Sequence, residues 1–201
     1  MIMLDTRGRK YFDRIFDKIG RSFLKIGFMP THITIIAAMV GIVGAVSFSL
    51  GKFILSIILL WISGFLDAVD GSMARQSGKV SEVGTLLDIW LDRLVEISYI
   101  ISFAIVCNEA TFTLMILACT IILSMTVFLT SGMLLENTGI KSFHYQAGLM
   151  ERTEGFIMFT FMIIFYPHMK ILAFIYAVLI LYTAVQRLYM AIKVLGGNNE
   201  K

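Results

Sequence analysis

Apolar segments of about 20 residues recur along this chain, and an α-helix of that length and composition can cross a bilayer. Only 15% of the 201 residues are charged, whereas 58% are hydrophobic. A soluble domain carries nearer ~25% charged residues, so the deficit indicates that lipid is the solvent for much of the chain. The sequence therefore predicts an all-α integral membrane protein.

Six transmembrane helices are predicted from the hydropathy of the chain. They lie at 33–51, 53–73, 86–107, 111–135, 151–167 and 170–191. The length suits one compact domain and leaves little room for a second. We expect an interfacial segment at 1–30, a six-helix membrane domain at 31–195 and a short polar tail at 196–201.

An amphipathic juxtamembrane helix is predicted at 9–28, ahead of the first span. Apolar side chains recur at helical spacing on one face, namely Tyr11, Phe12, Ile15, Phe16, Ile19 and Phe23. Basic side chains occupy the other face, namely Arg9, Lys10, Arg14, Lys18 and Arg21. A helix of this kind lies in the membrane interface. Because apolar spans follow at once, the basic face predicts a membrane surface as its partner and not a nucleic acid.

The basic residues are divided unevenly between the two sides of the predicted membrane. Of the 17 Lys and Arg, only Lys52 and Lys170 fall in the connections on one side. The other 15 lie at the opposite ends of the spans. By the positive-inside rule, both termini and the loops at 74–83 and 136–152 are cytoplasmic. The expected location is the cell membrane, with several crossings.

Four aspartates lie in or beside the second and third predicted spans. Asp67 and Asp70 are three residues apart, and Asp88 and Asp92 are four apart, so each pair lies on one helical face. The short turn at 74–83 lets the pairs converge at the cytoplasmic side. An aspartate deep in a bilayer costs roughly 2.5–3.5 kcal/mol, and divalent cations would offset both this cost and the mutual repulsion. Magnesium, manganese or calcium suits such oxygens, and four carboxylates suit a two-metal site.

The spacing of the aspartates alone leaves other interpretations open. Four carboxylates could equally line the cation pathway of a channel or transporter, or they could be simple charges at helix ends. The residues between the aspartates discriminate among these. The segment reads Asp67-x-x-Asp70-Gly71-x-x-Ala74-Arg75, eight further residues, and then Gly84-x-x-x-Asp88-x-x-x-Asp92. A cation pathway gives no reason for the glycines, the alanine and the arginine at this spacing.

This pattern resembles the signature of the CDP-alcohol phosphatidyltransferases at every position. The resemblance implies an enzyme that joins the lipid phosphate of CDP-diacylglycerol or CDP-archaeol to a small polar alcohol and releases CMP. It implies two divalent cations, Mg²⁺ or Mn²⁺, held by Asp67, Asp70, Asp88 and Asp92. It also implies that Asp92 is the general base. The residues implied to contact the cytidine diphosphate are Gly71, Ala74, Arg75 and Gly84. By resemblance we also expect a homodimer with a cytoplasmic active site.

Two further features resemble the inositol-phosphate-type members of the family. Arg93 directly follows Asp92, and the segment GLMERTEGF occupies 148–156. The likeness implies that Arg152 and Arg187 hold an acceptor phosphate, as paired guanidinium groups can.

Ser131 is implied to assist those arginines, but the sequence departs from the pattern near it. Inositol-phosphate-type members usually have a lysine three residues later, where this chain has Leu134. Glycerol-3-phosphate, serine or another alcohol therefore stay open as acceptors. The arginines also have a structural interpretation, as partners of Glu151, Glu154 or lipid phosphate.

Overall fold

A computed structural model describes residues 4–78, 81–137, 150 and 152–197, which form α-helices and short 3-10 turns without any strand. The helices are α1 (Leu4–Lys25), α2 (Pro30–Ser49), α3 (Phe53–Ser77), α4 (Glu82–Val106), α5 (Thr111–Asn137), α6 (Arg152–Ile164) and α7 (Met169–Gly197). The 3-10 turns are Asn108–Ala110 and Tyr166–His168. Parts of the predicted segments lie outside the described residues, namely 1–3, 79–80 of the 74–83 loop, 138–149 and 151 of the 136–152 loop, and 198–201 of the tail.

Helices α2 to α7 coincide with the six predicted apolar segments to within a few residues. The largest difference is that α7 continues to Gly197, past the predicted end at 191, and α3 and α4 also extend further toward each other than hydropathy indicates. Gly78 ends α3 with a φ of 64°, the left-handed conformation that suits glycine. Ser81 caps α4, and its hydroxyl accepts a hydrogen bond from the backbone N–H of Gly84 at 3.0 Å. The described part of the aspartate segment is therefore helical through Ser77 and again from Glu82.

Four stretches in the described part of the chain are long and apolar enough to cross a membrane, which makes this an all-helical multi-pass membrane protein. They are Pro30–Ser49, Phe53–Ser77, Asn108–Leu134 and Tyr166–Gly196. Helix α4 falls outside this set because it carries charged residues along its first half. Helix α6 has 13 residues and so spans only about 20 Å at 1.5 Å per residue.

Helix α2 packs against both α3 and α4, while α5 packs against α7. Small residues permit the close approach of α2. A Cβ atom on Gly41 would stand 2.7 Å from Cγ1 of Val95 on α4 and 2.8 Å from Oγ of Ser63 on α3. Further along the bundle, the rings of Tyr99 and Phe159 stack with centroids 5.6 Å apart. Both rings belong to the hydrophobic core of the bundle.

Helix α1 is held against α3 by polar and apolar contacts. The carboxylate of Asp17 accepts hydrogen bonds from the hydroxyl of Ser72 at 2.6 Å and from the amide of Gln76 at 3.2 Å. The apolar side of α1 packs on a second core cluster formed by Ile33, Val69 and Met73. Its basic residues Arg14, Lys18 and Arg21 are exposed. The side chains of Arg9, Lys10, Tyr11 and Phe12 lie outside the described part.

Candidate active site

The hairpin of α3 and α4 brings three of the four aspartates together. One carboxylate oxygen from each of Asp67, Asp70 and Asp88 lies within 4.8 Å of the others. Oδ2 of Asp70 and Oδ1 of Asp88 are buried and have no hydrogen-bond partner among the described residues. A buried oxygen without a donor is costly, and a divalent cation would satisfy it. The donor set and its unsatisfied oxygens thus fit a hard metal ion.

Asp92 stands apart from that three-carboxylate group and is joined to it by Arg152 of α6. The guanidinium of Arg152 contacts Oδ2 of Asp67 with one nitrogen and Oδ1 of Asp92 with the other, the second at 2.5 Å. Such a two-pronged contact fixes both carboxylates in orientation. Three of the four predicted metal ligands are therefore grouped. The fourth, Asp92, is connected to the group through Arg152, which also contacts Asp67.

A small pocket of about 150 Å³ adjoins the carboxylate group on the side of the α3–α4 turn. Its wall includes Gly71, Ala74 and Gly84, three of the four predicted nucleotide contacts, together with Asp70 and Asp88. A Cβ atom on Gly71 would meet nothing closer than a guanidinium nitrogen of Arg75, at 3.5 Å. Arg75, the fourth predicted contact, is exposed in the last turn of α3 and is not among the described residues that line this pocket. We call this space the turn pocket.

A larger cavity of about 330 Å³, which we call the central cavity, adjoins the same carboxylates from inside the bundle. It shares Thr34 and Asp88 with the turn pocket, so the two spaces meet at the aspartates. Its wall includes Asp67, Asp92 and Arg152.

Of the predicted acceptor residues, the central cavity brings together Arg152 and Arg187. Arg187 lies over the ring of Phe128 with 5.2 Å from Cζ to the centroid. Ser131 is one turn beyond Phe128 on α5, and its hydroxyl donates to the carbonyl of Val127 at 2.5 Å. Within the described part of the chain, Ser131 is not among the residues that line the cavity.

Glu96 belongs to the cavity wall but is absent from the residues that the signature singles out. Its carboxylate forms an ion pair with Arg93, which also lines the cavity. Glu96 is four residues after Asp92 and eight after Asp88, so all three share one face of α4. That spacing is the sequence signal that could have identified it.

Comparison with known proteins matches residues 27–196 to the family model described as CDP-alcohol phosphatidyltransferase. An archaetidylinositol phosphate synthase of Pyrococcus horikoshii is 37% identical over 89 residues, which are 44% of this chain and 47% of that protein. A phosphatidylinositol phosphate synthase of Mycobacterium tuberculosis is 33% identical over 95 residues, which are 47% of this chain and 44% of that protein. The chain thus matches slightly less than half the length of either relative.

The fold is similar to crystal structures of the Mycobacterium tuberculosis phosphatidylinositol phosphate synthase. With CDP-DAG bound, that protein gives a TM-score of 0.73 at 23% identity, covering 89% of this chain and 94% of the other. In complex with manganese and citrate, it gives a TM-score of 0.72 at 23% identity, covering 88% of each chain. Because the family model extends over most of the sequence, the chain belongs to the CDP-alcohol phosphatidyltransferase family.

Proposed function

We propose that the chain transfers a phosphatidyl or archaetidyl group from a CDP-linked lipid to inositol phosphate and releases CMP. The observation that carries this proposal is the group of three carboxylates at the junction of two separate spaces. One space suits the nucleotide donor and the other suits the alcohol acceptor. The named relatives are an archaetidylinositol phosphate synthase and a phosphatidylinositol phosphate synthase, which favours inositol phosphate as the acceptor over glycerol-3-phosphate or serine.

The turn pocket is proposed to hold the cytidine diphosphate of the donor. Gly71, Ala74 and Gly84 present little or no side chain there, so the ligand can approach the helix backbone closely. Arg75, in the last turn of α3, is proposed to contact the phosphates through its guanidinium group. The lipid chains of the donor would then extend into the bilayer.

Asp67, Asp70 and Asp88 are proposed to hold two divalent cations, Mg²⁺ or Mn²⁺, with Asp92 completing the set. Bound cations would neutralise the pyrophosphate and stabilise charge on the leaving phosphate. The support is the spacing of the three carboxylates and the two buried oxygens that lack a donor.

Asp92 is proposed as the general base, and Arg152 and Arg187 as the contacts for the acceptor phosphate. The acceptor oxygen forms a bond to the lipid-side phosphorus, and the bond from that phosphorus to the bridging oxygen breaks. CMP leaves with the electron pair, and the hydroxyl proton passes to Asp92. Arg152 fixes the orientation of that carboxylate. Ser131 would assist only after turning its hydroxyl away from its own helix.

We also propose six membrane crossings, with α2 to α7 as the spans and α1 lying in the interface. The support is the match of α2–α7 to the predicted apolar segments and the exposed basic side chains Arg14, Lys18 and Arg21. The proposed domain limits are 1–30, 31–195 and 196–201, with both termini and the active site cytoplasmic. A homodimer is proposed from the family resemblance.

The reaction is tested with purified protein in liposomes that contain CDP-diacylglycerol or CDP-archaeol. Labelled inositol-1-phosphate, glycerol-3-phosphate and serine are supplied separately with Mg²⁺ or Mn²⁺, and both CMP and labelled lipid are measured. We expect product with inositol-1-phosphate and its loss on chelation by EDTA. Turnover with serine alone would contradict the proposed acceptor. An absence of CMP release with every acceptor would contradict the proposed reaction.

A further inference from the structure

We propose that Glu96, together with Arg93, is the specificity-determining contact for the ring hydroxyls of a polyol acceptor. This inference rests on the proposed transfer to inositol phosphate. It concerns the part of the central cavity that lies below Asp92, which neither the signature nor the predicted phosphate contacts include.

The position of Glu96 matches the size of a polyol ring. Glu96 follows Asp92 by four residues on the same face of α4, and both line the central cavity. Four residues rise about 6 Å along a helix. That rise is comparable to the width of a six-membered ring that carries hydroxyl groups. A ring whose attacking hydroxyl lies at Asp92 would therefore present its opposite edge to Glu96.

The chemistry of the cavity wall also suits hydroxyl groups. An ionised carboxylate only accepts hydrogen bonds, and two neighbouring hydroxyls can both donate to it. Arg93 supplies donors beside it, and the Nε atoms of Arg93 and Arg187 are buried without a partner in the described ranges. The wall thus offers acceptors and donors side by side. Serine and glycerol-3-phosphate have no ring, so neither has hydroxyl groups on an opposite edge that could reach Glu96 and Arg93.

A purely structural ion pair is the competing interpretation of Glu96 and Arg93. A buried ion pair is weak support for a fold, because desolvation offsets much of its attraction. This pair lines a cavity instead of joining two helices, since both residues belong to α4 within one turn. A role in ligand recognition accounts for its location better than a role in packing does.

The test uses Glu96→Gln in the full-length protein, with steady-state kinetics for inositol-1-phosphate and for deoxy analogues that each lack one ring hydroxyl. We expect Glu96→Gln to raise KM for inositol-1-phosphate at least tenfold with kcat within about threefold. In the wild type, one or two deoxy analogues should show a comparable rise in KM. In the Glu96→Gln variant, KM for those same analogues should equal its KM for inositol-1-phosphate, because the contact with the missing hydroxyl is already lost.

Glu154→Gln is the matched control. Glu154 is a carboxylate of α6 with a buried Oε2, and it lies outside the wall of the central cavity in the described part of the chain. Its kinetics with inositol-1-phosphate should equal those of the wild type. KM for the CDP-lipid and the affinity for Mn²⁺ should be the same in both variants.

Three outcomes would overturn the inference about Glu96. The first is a Glu96→Gln variant whose KM for inositol-1-phosphate is unchanged. The second is a Glu96→Gln variant whose kcat falls by the same factor with inositol-1-phosphate and with every deoxy analogue. The third is a wild type that treats all ring-deoxy analogues alike, a measurement that needs no variant to fold. A wild type that releases CMP but never uses inositol-1-phosphate would instead contradict the proposed function itself.

Discussion

Arg152 is the residue that joins the three-carboxylate group to Asp92, through ion pairs with Asp67 and Asp92. Its contacts with Asp67 and Asp92 leave the other two aspartates free of it. Asp92 is thereby held at the wall of the central cavity, outside the three-carboxylate group. A general base must reach the proton of the acceptor. The proposed base, Asp92, lines this cavity and contacts Arg152, the residue proposed to hold the acceptor phosphate.

Replacing Asp92 by Asn removes the proton acceptor but keeps a group that Arg152 can contact. We expect kcat to fall at least ~100-fold, because general-base catalysis typically contributes about 10²–10⁴. KM for the CDP-lipid should stay near the wild-type value. CMP release and donor binding in liposomes measure the two effects. Turnover within twofold of the wild type would refute the assignment of Asp92 as base.

Gly71 permits a separate prediction about the donor. A methyl group at this position has only an ordinary contact with Arg75, so Gly71→Ala should leave the thermal unfolding midpoint unchanged. It would, however, intrude on the turn pocket. We expect KM for the CDP-lipid to rise at least about tenfold, a loss of ~1.4 kcal/mol in binding. An unchanged KM would show that the nucleotide lies elsewhere.

At the scale of elements, the close packing of α2 on α3 and α4 determines how near the aspartates can come. Gly41 lies in this interface, and a Cβ atom there would overlap Val95 and Ser63. The two partners belong to the two helices that carry the aspartate pairs. Packing at this point therefore sets the separation of α3 and α4 as well as the stability of the bundle.

Gly41→Ala should destabilise the protein by about 1–3 kcal/mol, as overpacked cores do. The thermal midpoint in detergent measures this loss. The matched control is Gly132→Ala on α5, where a Cβ atom would meet nothing within 4 Å. Equal midpoints for the two variants would contradict the close contact of α2 with its neighbours.

Helix α1 is attached to α3 by apolar packing and by the carboxylate of Asp17. Asp17→Ala removes the hydrogen bonds from Ser72 and Gln76, which should weaken the docking of α1 by about 0.5–1.5 kcal/mol. Backbone amides of α1 should then exchange with deuterium up to roughly tenfold faster. Arg14→Ala, which alters an exposed side chain of the same helix, is the control. Identical exchange in both variants would mean that apolar packing alone holds α1.

At the scale of the whole molecule, the sequence predicted the helices and the aspartate hairpin because both depend on local periodicity. The end of α3 and the start of α4 predicted from hydropathy lie too far apart, because the residues near the turn are polar and are not recognised as part of an apolar segment. Gly78 and Ser81 set the actual ends through their backbone conformation and capping.

The contact of Arg152 with the aspartates was beyond the reach of local patterns. Asp92 and Arg152 are 60 positions apart in the sequence. Their contact depends on how α6 packs in the bundle, where it lies against α3. The signature ends at Asp92, so it does not predict a role for Glu96, although Glu96 lies on the same face of α4. The prediction that Ser131 takes part rested on a family pattern and not on its position in the bundle.

The hairpin of α3 and α4 also has a consequence for biosynthesis. Together with α2, which packs on both α3 and α4, this hairpin leaves the ribosome before α6 and α7 exist. The nascent chain can therefore assemble its metal-binding carboxylates while Arg152 and Arg187 are still untranslated. Recognition of the nucleotide would mature first, and recognition of the alcohol phosphate would follow with the last helices to enter the bilayer.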